Sequence, residues 1–334
     1  MDRGPEQPTT DRGASEPAIG LSLSRVGVTG IEKVIRISRV NGGSPKLFAA
    51  RLQCFVDLGP DERKPGAARF DEVINEVTGA VVLGEAGFRA EQLARRIAER
   101  VRERQGARRA EVTISARYPE DKPAPVSGIR TQEIYTLHAW AGATEAGTRR
   151  ITGVTAQGIT AAPDAQQALA RDAAERLRSQ GFSPDQIARI LDVVPVATDD
   201  QRGLGTLHIG AHADDDTEID ALTLVDIVEA SMSSGIFELM KRSDEGAVVD
   251  RAHRRARLVE DSVRETLRAV IERFGDLDGG HFVLARQENL ETIHAHTVVA
   301  ERYGLLSEIR EEAATGVPAA HHTSLQEWRD AAEA

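Results

Sequence analysis

The segment Glu288-Asn-Leu-Glu291-Thr-Ile-His294-Ala-His296 holds the densest group of side chains able to do acid–base or ligand chemistry. In an extended strand His294 and His296 point to one face, a spacing that suits a metal ion, an acid–base pair or an anion, and equally a polar strand end with its histidines in water. Glu291 has the opposite parity, so it joins that face only where the chain turns or bulges near Thr292. Lys241-Arg242-Ser-Asp-Glu245 follows a predicted helix and the small-residue stretch Ser231-Met-Ser-Ser-Gly235. As a helix end or loop with two cations and two carboxylates it could hold a phosphate and a metal, or form a solvated turn. Asp199-Asp200-Gln201-Arg202 lies in a loop just before a strand, where adjacent acids cap, chelate or face water. The run Asp214-Asp215-Asp216 reads as a helix N-terminus, where the dipole favours anions.

Several common chemistries are excluded. There is no Gly-x-x-x-x-Gly-Lys-Ser/Thr loop, and Gly203-Leu-Gly205 is followed by Gly210, the wrong spacing for a dinucleotide turn. His-Glu-x-x-His and Gly-x-Ser-x-Gly are both missing. Any active site must therefore be assembled from scattered positions. With 42 basic against 53 acidic residues the net charge is −11 over 334 residues, which disfavours a nucleic-acid partner. The single cysteine, Cys54, rules out an internal disulfide framework and Cys-x-x-Cys sites, and its flanks from Leu52 to Leu58 read as a buried strand with a core thiol. No stretch reaches the ~18 apolar residues of a membrane helix, so no membrane partner is expected. The polar first twenty residues read as a disordered tail, and the chain as a soluble cytoplasmic protein.

The elements that must position these residues follow from periodicity. Arg25–Ile37 and Lys46–Leu58 read as a strand pair, Phe70–Val82 and Phe88–Arg104 as helices, and Ala110–Tyr118 and Glu133–Trp140 as strands flanking a Pro-rich turn at Pro119–Pro125. A second round runs through strands Arg150–Gln157 and Gly205–Gly210, helices Ile219–Met232 and Leu258–Phe274, and strands His281–Arg286 and Thr292–Ala300. Between its first two strands lies a helical insertion at 163–191, with a fresh start signal at Ser183-Pro184-Asp185. The expected fold class is α+β: two tandem β2α2β2 units, antiparallel sheets with helices on one face, spanning 21–145 and 146–305 and followed by a C-terminal tail at 306–334.

Over nearly the whole chain after the tail, a set of short pieces in shared order resembles the type IB GTP cyclohydrolases and their archaeal iron-dependent relatives. They are Ser24-Arg-Val-Gly-Val-Thr-Gly30, Pro125-Val-Ser-Gly128, Thr131-Gln-Glu133, Gly158-Ile-Thr-Ala161, Val194-Pro-Val-Ala-Thr198, Gln201-Arg202, Lys241-Arg-Ser-Asp-Glu245, Val259-Glu-Asp261 and Glu291-Thr-Ile-His294. The long insertion looks more like the archaeal branch.

The resemblance implies a tunnelling fold assembled as a homotetramer, with a guanine nucleotide as substrate and a pterin-type or specialised product. Glu291 falls at the position of the purine-anchoring glutamate, whose carboxylate accepts two parallel hydrogen bonds from the N1–H and 2-amino edge of guanine. The family metal is held by a Cys, a His, a Glu and a second His, and Glu245 and His294 match the last two. This chain departs at the others, with Ala162-Pro163-Asp164 for Cys-Pro-Cys and Asp199-Asp200-Gln201-Arg202 for His-Asn-Gln-Arg. Asp164, Asp199, Glu245 and His294 could form an oxygen-rich site for Fe(II), Mn(II) or Mg(II), with Zn(II) also open, or no catalytic metal binds. Under this resemblance His294, His296 and Glu245 are the acid–base candidates, and Gln201, Arg202, Lys241 and Arg242 join Glu291 on the substrate. The alternative is a non-catalytic purine- or pterin-binding paralogue, or a partner of an active homologue.

Overall fold

A computed structural model describes residues 19–37, 46–60, 67–83, 89–212, 215 and 217–331. The tail expected at 1–20 lies outside them up to residue 18, as do Phe88, Asp214 and Asp216. Strands β1 (Leu23–Ile37) and β2 (Lys46–Leu58) precede helices α1 (Ala67–Leu83) and α2 (Ala90–Gln105), then β3 (Ala110–Pro123) and β4 (Arg130–Thr144). The second unit runs β5 (Gly147–Ala161), α3 (Pro163–Ser179), α4 (Pro184–Val193), β6 (Asp200–Ala211), α5 (Ala221–Ser231), β7 (Ser234–Gly235), α6 (Arg242–Arg254), α7 (Val259–Arg273), β8 (Phe282–Leu290) and β9 (Thr297–Leu305). Helices α8 (Leu306–Thr315) and α9 (Leu325–Asp330) close the chain. One antiparallel sheet of order β1-β2-β3-β4-β5-β6-β8-β9 joins both units through the β4–β5 pair, with β7 added beside β5. This is the tunnelling-type α+β fold, two β2α2β2 rounds in one sheet.

Alternation along each strand divides the sheet into two faces. Leu137, Ala139 and Ala141 of β4, Val154 and Ala156 of β5, and Leu207 and Ile209 of β6 belong to the main core, shared with Leu93, Ile97 and Val101 of α2 and Leu224, Val228 and Val270 of α5 and α7. The i, i+4, i+8 spacing on α2 fixes which side it buries, and each fully buried Leu or Ile there contributes about 1.5–3 kcal/mol. The opposite face carries a second cluster of Trp140, Ile151, Phe282 and Trp328. It is closed by α9, so the segment read from sequence only as a tail packs a tryptophan against the sheet.

Several strands run further than periodicity suggests: β3, β4, β5 and β8 all extend past their expected ends, and β6 begins at Asp200, inside the segment expected as a loop. β3 continues through Pro119 to Pro123, in register with Ile134 and Arg130 of β4. Its pairing with β2 ends at Ala116, so those prolines leave no β2–β3 ladder bond unmade. The insertion forms α3 and α4 as expected, and Ser183 caps α4: its hydroxyl accepts from Gln186 N at 3.3 Å while Gln186 Oε1 accepts from Ser183 N at 2.9 Å.

Candidate functional site

Antiparallel order brings the ends of β3, β5 and β8 and the starts of β4, β6 and β9 to one end of the sheet. The 124–129 hairpin turn, the β5–β6 connection through α3 and α4, and the 291–296 loop between β8 and β9 all lie at that end.

Gln201 lies near the start of β6, opposite Thr160 of β5, and the β6–β8 ladder ends at Arg202 and Leu290, so Glu291 emerges beside Gln201. Gln201 is only 7 % exposed, and its Nε2 donates to Glu291 Oε1 at 3.2 Å. Its Oε1 has no partner, nor does the Oγ1 of fully buried Thr160. On the same strand, Gly203 and Gly205 make room for neighbours. A Cβ at 203 would lie 2.6 Å from Gln287 Nε2, and one at 205 would lie 2.4 Å from Val228 Cγ1. Gln287 donates to Asn289 Oδ1 at 3.1 Å, so a buried polar row on β8 leads up to Glu291. The two glycines are thus packing positions.

The strand expected from Thr292 to Ala300 begins only at Thr297, and residues 291–296 form an irregular loop. Strand parity therefore does not govern His294 and His296. They still come together, their exposed rings stacked with centroids 5.2 Å apart and planes 21° from parallel. The Thr292 hydroxyl ties the loop to β6 by donating to the Asp199 carboxylate and, at 3.2 Å, to the Asp200 carbonyl. Arg202 alternates with Gln201 along β6, so it faces the other side of the sheet, where its Nη1 donates to Gln157 Oε1 at 3.2 Å.

Lys241-Arg-Ser-Asp-Glu245, expected as a helix end or loop, instead starts α6, with Lys241 at the N-cap. Only Asp244, Val248 and Ala252 of this helix are buried, too sparse a stripe to betray it in sequence. Asp244 Oδ1 accepts from Val126 N at 2.9 Å and Ser127 N at 2.8 Å, and Oδ2 from Ser127 Oγ at 2.7 Å and Lys241 N at 2.9 Å. Burial opposes its charge, but these bonds from Ser127, Lys241 and Val126 outweigh burial and hold the carboxyl far below the usual range. The hairpin tip is thereby locked to the start of α6, while Lys241, Arg242 and Glu245 remain exposed.

The expected metal quartet does not assemble within the chain. Asp164 sits exposed in the first turn of α3 and Glu245 exposed on α6, while Asp199 is engaged by Thr292 and His294 is stacked on His296. The start of α3 is tied to Asp199 only through backbone, Ala162 N donating to Asp199 O at 2.8 Å. Among the described residues no three His, Cys, Asp or Glu side chains come close enough to share an ion. As arranged here, these four residues do not fit a metal. The reading of the acidic run is also corrected: Asp220 caps α5, and Asp215 Oδ2 lies 2.8 Å from the buried His281 Nε2.

Sequence reasoning missed a polar network at a fork in the sheet. β4 and β5 pair only from Thr136 to Thr144 on the β4 side; beyond, β7 pairs with β5 at Gly158 and Ile159. In the fork Lys122 Nζ donates to both Glu229 oxygens at 2.8 and 2.7 Å, and Tyr135 Oη donates to Glu229 at 3.0 Å. Burial raises the Glu229 carboxyl, with Lys122 pulling the other way, and burial together with Glu229 raises the Tyr135 hydroxyl. Beside it lies a cavity of about 540 Å³ lined by Gln132, Glu133, Gln157, Arg202 and Phe237 among others. Lys122 and Glu229 are 107 positions apart, a contact no local pattern announces. The Thr131-Gln-Glu133 piece was the one signal pointing toward it.

Among the described residues no helix is long and apolar enough to cross a membrane. Among solved structures the chain is similar to a hyper-thermostable AgUricase mutant, with a TM-score of 0.50 and 10% identity over 90% of this chain and 95% of that one, which supports the fold alone. The protein named GTP cyclohydrolase MptA from Methanococcus aeolicus is 36% identical over 305 residues, covering 90% of this chain and 97% of that protein. Its namesake from Methanosarcina mazei is 34% identical over 307 residues, covering 90% and 95%. A family model described as type I GTP cyclohydrolase folE2 matches residues 10–300, and the chain belongs to that family.

Proposed function

We propose that this protein binds a guanine nucleotide at the sheet end where Gln201 and Glu291 meet, and opens its purine ring hydrolytically toward a pterin-type product. The supporting observation is the 3.2 Å bond from Gln201 Nε2 to Glu291 Oε1, which orients a half-buried carboxylate at the mouth of the site. Glu291 then accepts from the N1–H and 2-amino edge of the base. Proton transfer is assigned to the stacked pair His294 and His296, exposed on the loop that Glu291 opens. Arg202, Lys241 and Arg242 supply cations for the phosphates. A divalent metal such as Fe(II), Mn(II) or Zn(II), if the protein recruits one, would supply hydroxide for ring opening. Since the quartet of Asp164, Asp199, Glu245 and His294 is not gathered, no step is assigned to a metal here.

The test is anaerobic purification, metal analysis, and incubation with GTP with and without added Fe(II), Mn(II), Mg(II) and Zn(II), followed by mass spectrometry and by nucleotide titration. A product heavier by one water, or one that has taken up water and released formic acid and so is lighter by a net CO, supports the reading. Unchanged and unbound GTP under every condition refutes it. The ungathered ligand set favours one second reading, a paralogue that binds a purine or pterin without turnover, and GTP bound but intact would select it. We further propose a homotetramer: β1 and β9 end the sheet, and Val34 and Val299 stand exposed along them, so another copy can extend the ladder. A monomer mass by light scattering counts against it.

A further inference from the structure

Three buried polar atoms near α9, on the sheet face that it covers, have no hydrogen-bond partner among the described residues: Trp140 Nε1, Arg329 Nε and His208 Nε2. Alternation sets Trp140 of β4 and His208 of β6 on that face. Helix α9 lays Arg329 onto it, with the guanidinium 4.1 Å from the centre of the Trp140 ring. Trp140 is only 6 % exposed. An indole N–H and a guanidinium N–H only donate, so neither can satisfy the other, and what both lack is an acceptor. The charges around them are out of balance in the same sense. Buried Glu111 is taken by Arg109 at 2.8 Å and Arg25 at 3.5 Å, and Asp330 by Arg109 at 3.1 Å and by Gln326. Three guanidiniums therefore meet two carboxylates, and Arg329, which bonds neither, carries the charge left over. Burial pushes the Arg329 guanidinium down to about 10, against Glu111 and with Arg109 and Arg25. A buried cation and a buried indole N–H left unpaired are both costly, and such groups are normally satisfied.

We propose that α9 closes over a bound monovalent anion of the halide class, which accepts from Trp140 Nε1–H and Arg329 Nε–H. A guanidinium lying over an indole leaves the N–H bonds of both pointing outward, so one spherical acceptor at their shared edge serves the two. His208 flanks the pair and donates from Nε2 in the tautomer that carries its proton there. The class of anion follows from the charge: one uncompensated positive charge is neutralised by one negative charge, whereas a doubly charged phosphate would reverse the balance. The inference stands apart from the guanine-nucleotide reading. Trp140 and Glu111 lie toward the end of the sheet away from Glu291, and Arg329 lies beyond residues 10–300, the stretch that the family model matches.

The experiment uses the emission of the full-length protein, whose two tryptophans, Trp140 and Trp328, are both buried in this cluster. Sodium bromide replaces sodium gluconate at constant ionic strength, so that screening does not change along the titration. Bromide seated against the Trp140 edge quenches by heavy-atom contact, and the loss of emission is expected to saturate and to be displaced competitively by chloride. Arg329→Met should abolish the saturable part with the emission maximum unmoved. A red-shifted maximum in that variant would mean that α9 has come away, and Arg329→Lys then decides. It keeps the charge but loses the Nε donor, and should raise the bromide midpoint roughly tenfold. Quenching that stays linear in bromide throughout the titration of the unaltered protein overturns the proposal. So does saturation that persists unchanged in the Arg329 variants, and displacement by phosphate but not by chloride overturns the monovalent assignment.

Discussion

Trp328→Ala measures what the C-terminal strap contributes. The indole is 2 % exposed, its ring centroid lies 5.7 Å from that of Phe282, and its Nε1 donates to Gly280 O at 3.2 Å. Arg149 holds the Trp328 carbonyl and covers the indole with its guanidinium 5.1 Å from the ring centroid. Truncating a fully buried Trp typically costs about 3–5 kcal/mol, about 1 of which is the indole hydrogen bond. That cost has a ceiling. α9 is six residues long and Trp328 is its one buried side chain, so the strap can detach and recover roughly 1–2 kcal/mol of backbone entropy per released residue. The loss should therefore not exceed that of a truncation after Thr315. Urea unfolding at fixed protein concentration reads both. Gly210→Ala adds an independent check, because a Cβ there would sit 2.7 Å from Trp328 Cη2. In the unaltered chain this overpacking should cost about 1–3 kcal/mol, and in the Trp328→Ala background clearly less. A Trp328→Ala loss under about 1 kcal/mol, or a Gly210→Ala cost identical in both backgrounds, refutes the packing argument.

Asp244 carries a carboxyl held below its unfolded range, so its stabilisation is full above the unfolded value near pH 4 and disappears as pH falls toward the folded value. Asp244→Asn should be less stable at neutral pH, should flatten the acid limb of the stability profile, and should speed amide exchange at Val126 and Ser127; an unchanged acid limb removes the lock. His208 is shifted down to about 4 by burial, then by His138 and Arg329. It stays neutral when folded, so stability is complete above the ordinary value near 6.5 and erodes as pH falls toward 4. That is about 2 kcal/mol lost by pH 5, which His208→Gln should abolish in urea midpoints compared at pH 7 and pH 5. Arg202→Ala should weaken GTP binding roughly tenfold by removing a charge-assisted contact, with an unchanged dissociation constant striking it from the site.

Where legibility failed, the cause was the range of the interaction. Local signals wrote most of the sheet: alternation marked β2 from Lys46 to Leu58 to the residue, and the start signal Ser183-Pro184-Asp185 announced α4. Short-range rules also misled in specific ways. The prolines of β3 looked like a turn because nothing local says that β2 has already left that strand at Ala116. α6 looked like a solvated turn because its helix is stabilised by Asp244 reaching a hairpin 117 positions away. Residue types at the candidate site were readable from the family pattern, and Gln201 and Glu291 do meet. Their orientation was not readable, since it depends on which face of β6 each residue takes and where β8 stops. Arg202 shows the consequence: adjacent to Gln201 in sequence, it lies across the sheet at Gln157, beside the fork cavity and away from the Gln201–Glu291 pair. A phosphate chain reaching Arg202 from a base on Glu291 must therefore pass around the end of the β5–β6 ladder, so replacing Arg202 should weaken GTP more than guanosine, whereas replacing Glu291 should weaken both alike.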